Sequence, residues 1–253
     1  VDQRVAKVSI VGAGMIGRPG VAARMFSTLA AAGVNIQMIS TSEVKVSCTV
    51  QIDQCDRAIN ALCQAFQVTC SPLKSETPSP VATSMPDVRG AVLDLKQVQV
   101  AMRQVPDLPG MAAQIFERLA TAGVSVDMII QSQRCRLVGG QPTRDIAFTV
   151  AQAEAAQAQS VVASAAAELG CGAVAVNGAI AKVSVVGLGM INRPGVAARM
   201  FAALAQQQIN IQMIATSEIK ISCLVSEADG LKALKAVHGA FQLNGAAEMA
   251  ASA

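Results

Sequence analysis

The chain contains no tryptophan and no tyrosine, and it has only six phenylalanines and one histidine. Proteins that bind single-stranded nucleic acid stack bases on aromatic side chains, so this composition argues against that class. The formal net charge of +3 is spread along the chain, which leaves no basic patch for nucleic acid or a membrane surface. With His238 as the single histidine, a histidine-based zinc site lacks ligands. We expect neither nucleic acid nor a membrane as a partner.

Long apolar runs are also missing, although 52% of the residues are hydrophobic and the mean hydropathy is +0.44. The apolar stretches are strand-sized, and none reaches the roughly 18 residues that a membrane span needs. Seven cysteines include no CxxC pair, and an odd number without a secretory signal favours reduced thiols and a cytoplasmic location. Cys48 and Cys223 occupy equivalent places in VSCTV and ISCLV, and we expect both to be buried in strands.

What the sequence does have is a long internal repeat. The stretch KVSIVGAGMIGRPGVAARMF, Lys7–Phe26, returns as KVSVVGLGMINRPGVAARMF, Lys182–Phe201, and 31 of the 44 positions in Lys7–Val50 are identical in Lys182–Val225. A diverged third unit, Val98–Gln133, lies between the copies and repeats their order of apolar run, Pro-Gly step, helix, glycine and apolar run. A repeat of this kind predicts three similar folding units rather than one large domain.

Apolar periodicity predicts the structure of each unit. The expected strands are Val5–Val11, Val34–Ser40, Glu43–Val50, Val88–Leu95, Val98–Gln104, Ser125–Gln131, Arg144–Val150 and Gly172–Val176. The expected helices run from Pro19 to Gly33 and over Gln54–Phe66, Gly110–Ala122 and Glu154–Leu169, with a turn at Val138–Pro142. The last copy repeats the order of the first. The fold class is therefore α+β, with ferredoxin-like βαββαβ units in which both helices cover one face of an antiparallel sheet and which pack side by side.

These patterns divide the chain into units and connections. The first copy occupies residues 1–70 and is incomplete, a linker rich in Pro, Ser and Thr follows at 71–87, and the middle unit spans 95–178. The last copy covers 179–243, and an alanine-rich tail follows at 244–253. Since the last copy lacks a closing strand and the strand at 88–94 has no unit of its own, we expect 88–94 to join the sheet of the last copy.

The glycines of the first copy suggest one alternative function. Gly12–Gly17 has the pattern GxGxxG after a strand and before a helix, as in dinucleotide-binding proteins. However, the last copy has Asn192 at the third glycine, and Pro19 starts the helix after the glycines rather than among them. The acidic residue expected about 20 residues further on is also missing. A nicotinamide-nucleotide-binding protein is therefore the less favoured hypothesis.

The Pro-Gly step offers a different kind of site. Gly20, Gly110 and Gly195 each begin a helix without a side chain, so backbone N–H groups and the positive end of the helix dipole are open to a carboxylate. A free amino acid carries such a carboxylate together with an ammonium group. Asp107, shortly before Pro109, is the anionic candidate for the ammonium in the middle unit.

These motifs resemble a known family. RPGVAARMF, NIQMI and TSEIKISCLV in the copies, and VPDLPGMAA with VDMIIQSQ in the middle unit, resemble the paired ACT domains at the C-terminal end of aspartate kinase. The resemblance covers nearly the whole chain outside the linker and tail. It implies three ACT units and an upstream kinase domain that would hold ATP and magnesium. We expect a homodimer, because a first copy without its own partner unit leaves a sheet edge open. Because the chain begins at Val1, we expect it to be a piece of such a longer protein.

The resemblance also implies where amino acids bind, namely between a first-type unit, here the middle one, and a second-type unit, here either copy. The implied first-type residues are Asp107, Gly110, Ala112, Asp127 and Gln131. The implied second-type residues are Ala22, Asn35, Ile36, Ser42 and Glu43 in the first copy, and Asn210, Ile211, Ser217 and Glu218 in the last copy. Ala22 stands where some relatives have Thr. Since only one first-type unit is present, we expect the first copy to share a site with it.

The function implied by the resemblance is regulation. Aspartate kinases phosphorylate aspartate on the path to lysine, threonine and methionine, and their ACT units bind lysine or threonine as feedback inhibitors. This chain has no GxxxxGK[ST] loop to cradle phosphates and no carboxylate cluster for magnesium, so we expect no catalysis and no cofactor in this region. A structural dimerisation module that has lost its ligands is the remaining alternative.

Overall fold

A computed structural model describes residues 4–12, 20–42, 44–70, 88–131, 134–190, 194–217 and 219–243. The strands are β1 (Val5–Val11), β2 (Met38–Ser42), β3 (Lys45–Gln51), β4 (Gly90–Asp94), β5 (Gln97–Pro106), β6 (Val126–Gln131), β7 (Arg136–Val138), β8 (Gln141–Ala151), β9 (Val174–Asn177), β10 (Ile180–Val186), β11 (Met213–Thr216) and β12 (Lys220–Ser226). The helices are α1 (Val21–Ala31), α2 (Cys55–Phe66), α3 (Met111–Thr121), α4 (Ala155–Glu168), α5 (Val196–Gln206) and α6 (Gly230–Ala240). Two compact units form, unit one from Val1–Pro72 with Val98–Asn177 and unit two from Leu73–Gln97 with Gly178–Ala253.

Unit one is built on one antiparallel sheet with the strand order β1-β3-β2-β6-β8-β5-β9, and β7 pairs with β8. The first three strands come from the first copy and the others from the middle unit. The two repeats meet where Ser40 of β2 lies opposite Ile130 of β6. Thr41 strengthens this junction, because its Oγ1 donates to the carbonyl of Asp127 at 3.1 Å and accepts from the N–H of Ile129 at 2.7 Å. The first copy and the middle unit therefore pack side by side.

A shared core lies beneath this sheet. Phe26 of α1 packs against Phe116 of α3 with ring centroids 5.4 Å apart, and Phe116 packs against Phe148 of β8 at 5.5 Å. All three rings are buried in one apolar cluster that includes residues of both repeats. Aromatic pairs of this geometry add about 0.5–1.5 kcal/mol beyond the burial of their area. The first copy and the middle unit are therefore stabilised as one body.

The Pro-Gly glycines bring α1 and α3 into close contact. Gly20 and Gly110 precede these helices with φ of 97° and 90°, a left-handed conformation that favours glycine. A Cβ at Gly20 would lie 3.7 Å from the Cβ of Ala120, and one at Gly110 would lie 3.6 Å from that of Ala30. These are ordinary van der Waals distances, so it is the left-handed backbone conformation that favours glycine here. The same contacts place the N-terminus of each helix beside the other repeat.

Unit two contains the last copy and β4 in a sheet of order β11-β12-β10-β4. β4 pairs with β10 in antiparallel register, with Leu93 opposite Val183. Lys182 and Asp94 form an ion pair at 3.5 Å, and the Lys182 side chain is only 9% exposed. A second apolar cluster, which includes Met200 of α5 and residues of α6, fills the space between the helices and this sheet.

The two copies differ in how their equivalent strands are covered. Ile39 of β2 is 1% exposed, whereas its equivalent Ile214 in β11 is 40% exposed. Thr41 is buried, whereas Thr216 is exposed. β2 has β6 beside it, but β11 is the edge strand of its sheet in the described part of the chain. Identical residues therefore have different surroundings in the two copies.

The strand predicted at Val34–Ser40 is wrong in its boundaries, because the observed strand is Met38–Ser42. The N–H of Val34 donates to the carbonyl of Leu29 at 2.9 Å, so this residue closes α1 instead of starting a strand. Asn35 and Ile36 consequently lie in the connection between α1 and β2.

The predicted turn at Val138–Pro142 is also too long. β7 and β8 form a hairpin whose turn is Gly139–Gly140, both with positive φ, and β8 begins at Gln141 rather than at Arg144. The closing strand is Val174–Asn177 rather than Gly172–Val176. The predicted linker at 71–87, the tail at 244–253, and the glycine-loop residues 13–19 with Asn192 lie outside the described residues.

Both cysteines predicted to be buried are confirmed. Cys48 is 1% exposed and Cys223 is fully buried, and desolvation raises the pKa of both thiols, that of Cys223 to about 12. All seven cysteines lie within the described ranges and are free thiols. Over those same ranges, no helix has the length and apolar character needed to cross a bilayer.

Candidate functional site

A narrow cleft opens in unit one where the first copy meets the middle unit. It is lined by Phe26, Val34, Asn35, Ile36, Val105, Pro106, Asp107, Leu108, Gly110, Met111, Ala112, Ala113, Gln131, Arg144 and Ile146. The cavity measures about 20 Å³. A void needs about 10–15 Å³ to hold one water molecule, so the cleft in this conformation is too small for an amino acid.

Six of the residues implied by the resemblance come together in this cleft. The first copy contributes Asn35 and Ile36 from the connection before β2. The middle unit contributes four residues, which are Asp107, Gly110, Ala112 and Gln131. These two segments are far apart in the sequence, and the shared sheet of unit one brings them to the same place.

The acidic side of the cleft is an ion pair. Arg144 Nε donates to Asp107 Oδ2 at 2.8 Å, and the two side chains are 15% and 13% exposed. A carboxylate held with little solvent interacts strongly with any cation that reaches it. Asp107 is thus a suitable partner for a positively charged ligand group.

Gln131 adds a second acceptor to the cleft. Its side chain is 7% exposed, and its Oε1 has no hydrogen-bond partner in the described part of the chain. A buried polar atom left unpaired typically costs about 1–3 kcal/mol, so native proteins rarely keep one without a reason. A donor group on a bound molecule would remove that cost.

The N-terminus of α3 also lines the cleft. Gly110, Met111, Ala112 and Ala113 all line the cleft, and within the described residues no side chain caps this helix. The first turn of a helix has unpaired N–H groups and the positive end of the dipole, which favour an anion. The cleft therefore offers acceptors for a cation and donors for an anion, as a zwitterion requires.

Other predicted residues lie outside the cleft. The backbone carbonyl of Asp127 accepts the hydrogen bond from Thr41 at the β2–β6 junction, which is a structural contact. Ala22 is half-buried and packs against the core of unit one. Ser42 ends β2, and Glu43 lies outside the described residues.

The predicted residues of the last copy belong to unit two and do not line this cleft. Asn210 is exposed and Ile211 is half-buried in the connection before β11. Ser217 Oγ donates to the carbonyl of Lys220 at 3.3 Å, so it closes the turn between β11 and β12. Glu218 lies outside the described residues.

Arg144 is the main site residue that sequence patterns alone do not reveal. Its signal is a comparison of the repeats: the middle unit has Arg144 where the copies have Val44 and Ile219. The same unit has the charged Asp107 where both copies have an uncharged residue. Both charged residues of this ion pair are therefore specific to the middle unit.

The dinucleotide-binding alternative does not fit the observed fold. That function uses a mainly parallel sheet with helices on both faces, whereas β1 pairs antiparallel with β3, and the pairs β2–β3, β6–β8 and β10–β12 are antiparallel too. Across the described residues, no three His, Cys, Asp or Glu side chains are grouped as ligands for a metal ion.

Fold, repeats and site define a class of protein. A model of the ACT domain matches residues 8–66, 98–165 and 183–241, which together make up more than half of the chain. The chain therefore belongs to the ACT domain family. Solved structures and curated sequences then relate it to one kind of ACT protein, the regulatory region of aspartate kinase.

An aspartate kinase from Synechocystis is similar over 100% of this chain, with 57% identity and a TM-score of 0.89. The regulatory subunit of aspartate kinase from Thermus thermophilus has 42% identity and a TM-score of 0.56, covering 61% of this chain and 99% of that subunit. A curated aspartokinase from Thermus thermophilus is 43% identical over 158 residues, which is 62% of this chain. The chain spans only 42% of the Synechocystis chain and 38% of the curated aspartokinase.

Proposed function

We propose that this region senses amino acids for an aspartate kinase, and that threonine, lysine or both bind in the cleft of unit one and cause feedback inhibition. The observation that carries the proposal is the convergence of Asp107, Gln131 and the N-terminus of α3 on one cleft between two repeats. The ammonium group would be held by Asp107 and Gln131. The carboxylate would accept from the N–H groups of the first turn of α3.

The position of the cleft supports a regulatory role. It lies between the first copy and the middle unit, so a ligand there contacts both repeats. A ligand that binds one arrangement of the two repeats more tightly shifts their equilibrium toward that arrangement. Allosteric couplings of this kind are typically about 1–3 kcal/mol. The kinase domain would bind ATP and magnesium, and we propose no cofactor for the region itself.

We also propose that the protein acts in the cytoplasm as a homodimer. Seven free thiols suit a reducing compartment. The exposed edge strand β11 supports self-association, because its Ile214 is 40% exposed while the same residue in the covered strand β2 is 1% exposed. Unpaired strand edges are places where another chain can add.

Calorimetry tests the ligand assignment. L-threonine and L-lysine are titrated into the chain, with N-acetyl-L-threonine as a ligand that lacks the ammonium charge. Asp107→Asn should weaken amino-acid binding by about 1.5–3 kcal/mol, the value of a hydrogen bond to a charged group. Asp145→Asn is the matched control, since Asp145 lies in the same unit, pairs with Arg103 at 3.9 Å and does not line the cleft.

Two results would contradict the proposal. One is tight binding of N-acetyl-L-threonine, which would mean that no ammonium is recognised. The other is equal affinity of the unmodified chain and Asp107→Asn for threonine and lysine, which would remove Asp107 from the site.

A further inference from the structure

The cleft already contains a cation that belongs to the protein. The Arg144 guanidinium donates to Asp107 Oδ2 at 2.8 Å, which is the carboxylate that a ligand's ammonium would use. We infer that Arg144 occupies the ammonium position and competes with the amino acid for Asp107. This inference rests on the function proposed above and adds to it a device that sets the ligand concentration at which the site responds.

The size of the cleft requires such a movement. With about 20 Å³ of space, the cleft holds no more than a water molecule until a lining side chain moves. Several lining residues, such as Phe26, Ala112 and Ile146, are buried in the core of unit one. Arg144 is a long side chain next to the β7–β8 hairpin, where Leu137 is 75% exposed, so its guanidinium can reach solvent there. Displacing Arg144 is the change that frees Asp107, the acceptor on the acidic side.

Electrostatics makes the exchange nearly balanced. Removing one member of a partly buried ion pair is costly when the other charge is left unpaired. Here an ammonium replaces the guanidinium, so Asp107 stays paired, and Arg144 regains water. The net cost of opening is the difference between the two pairs together with the loss of the other contacts of Arg144. This cost lowers the apparent affinity for the amino acid, in proportion to the fraction of molecules in which Asp107 is available to the ligand.

The repeats supply an independent indication that the two charges act together. Arg144 is equivalent to Val44 in the first copy and to Ile219 in the last copy. The residue equivalent to Asp107 is uncharged in both copies. If Arg144 only supported β8, it would have no reason to occur in the same repeat as Asp107. If Arg144 acts through Asp107, the two residues are expected in the same repeat.

The test is amino-acid affinity after removing the charge of Arg144. Arg144→Gln should bind threonine or lysine about tenfold more tightly in calorimetry, which corresponds to about 1.4 kcal/mol. Arg103→Gln is the matched control, because Arg103 is in the same unit, pairs with Asp145 at 3.9 Å and is outside the cleft. Its affinity should equal that of the unmodified chain.

The outcomes separate this inference from the proposed function. If the unmodified chain binds an amino acid and Arg144→Gln binds it equally or more weakly, Arg144 is not a competitor, and weaker binding would make it a ligand contact. If neither protein binds any amino acid, the proposed function fails and the inference fails with it.

A second measurement uses the unmodified chain and does not depend on the variant folding. A crystal structure with the bound amino acid should have the Arg144 guanidinium beyond hydrogen-bond distance of Asp107. An Asp107–Arg144 bond that persists at about 2.8 Å in that complex would overturn the inference.

Discussion

Replacing Gln131 should make the protein more stable and a poorer amino-acid receptor at the same time. The Gln131 side chain is 7% exposed and its Oε1 lacks a partner within the described residues, so folding takes that atom out of water without compensation. Methionine is unbranched, of similar length and has no strong acceptor. Removing the unpaired carbonyl should relieve about 1–2 kcal/mol, the lower part of the penalty measured for buried unsatisfied groups.

The same change should weaken ligand binding. A hydrogen bond from an ammonium to a neutral carbonyl is charge-assisted, and such bonds typically contribute about 1.5–3 kcal/mol. Gln131→Met should therefore bind threonine or lysine at least about tenfold more weakly. A stabilising change that removes affinity indicates that the unpaired atom serves binding, since stability alone would favour methionine.

Urea unfolding and calorimetry together check this prediction. Unfolding is followed by far-ultraviolet circular dichroism, because the chain has no Trp or Tyr to report by fluorescence. The control is Gln97→Met: Gln97 Oε1 is also buried without a partner in the described chain, but Gln97 is outside the cleft. Its Nε2 donates to Asp94, so this control loses a hydrogen bond and should keep its amino-acid affinity. Lower stability of Gln131→Met, or unchanged affinity, would refute the reasoning.

Two further predictions concern the copies. Thr41→Val should lower the free energy of unfolding by about 1–3 kcal/mol, since it leaves the N–H of Ile129 without its acceptor, whereas Thr216→Val on the exposed edge should change it by less than about 0.5 kcal/mol. Equal losses in urea unfolding would mean that the junction does not depend on Thr41. Ile214→Asp should shift a dimer toward monomer in sedimentation equilibrium, because a charge on an edge strand opposes pairing, while Ile214→Val should not. A dimer that persists in the Asp variant would place the interface elsewhere.

The order of strands and helices could be predicted because it depends on local sequence, namely the spacing of apolar residues and the Pro-Gly and Gly steps. The neighbours against which each element packs could not be predicted in this way. Ile39 and Ile214 lie in the same motif, NIQMI, yet one is covered by β6 and the other is on an edge. Nothing within either copy differs enough to decide this, because the covering strand belongs to another repeat. The boundary of β2 was missed for a related reason: the Val34 side chain is buried in the core, but its N–H closes α1 and does not pair in the sheet.

The residues of the candidate site likewise include some that local sequence predicts and one that it does not. Asp107 and Gly110 can be identified in advance because both adjoin the Pro-Gly step that starts α3. Arg144 cannot, because it is 37 positions from Asp107 and reaches it only when β8 and β5 lie side by side. Its identity becomes informative once the repeats are aligned, since the equivalent residues Val44 and Ile219 are aliphatic and lie just before β3 and β12. The charge of Arg144, at a position where the other two repeats have aliphatic residues, is therefore better explained by its partner Asp107 at the end of the neighbouring strand than by the packing of β8.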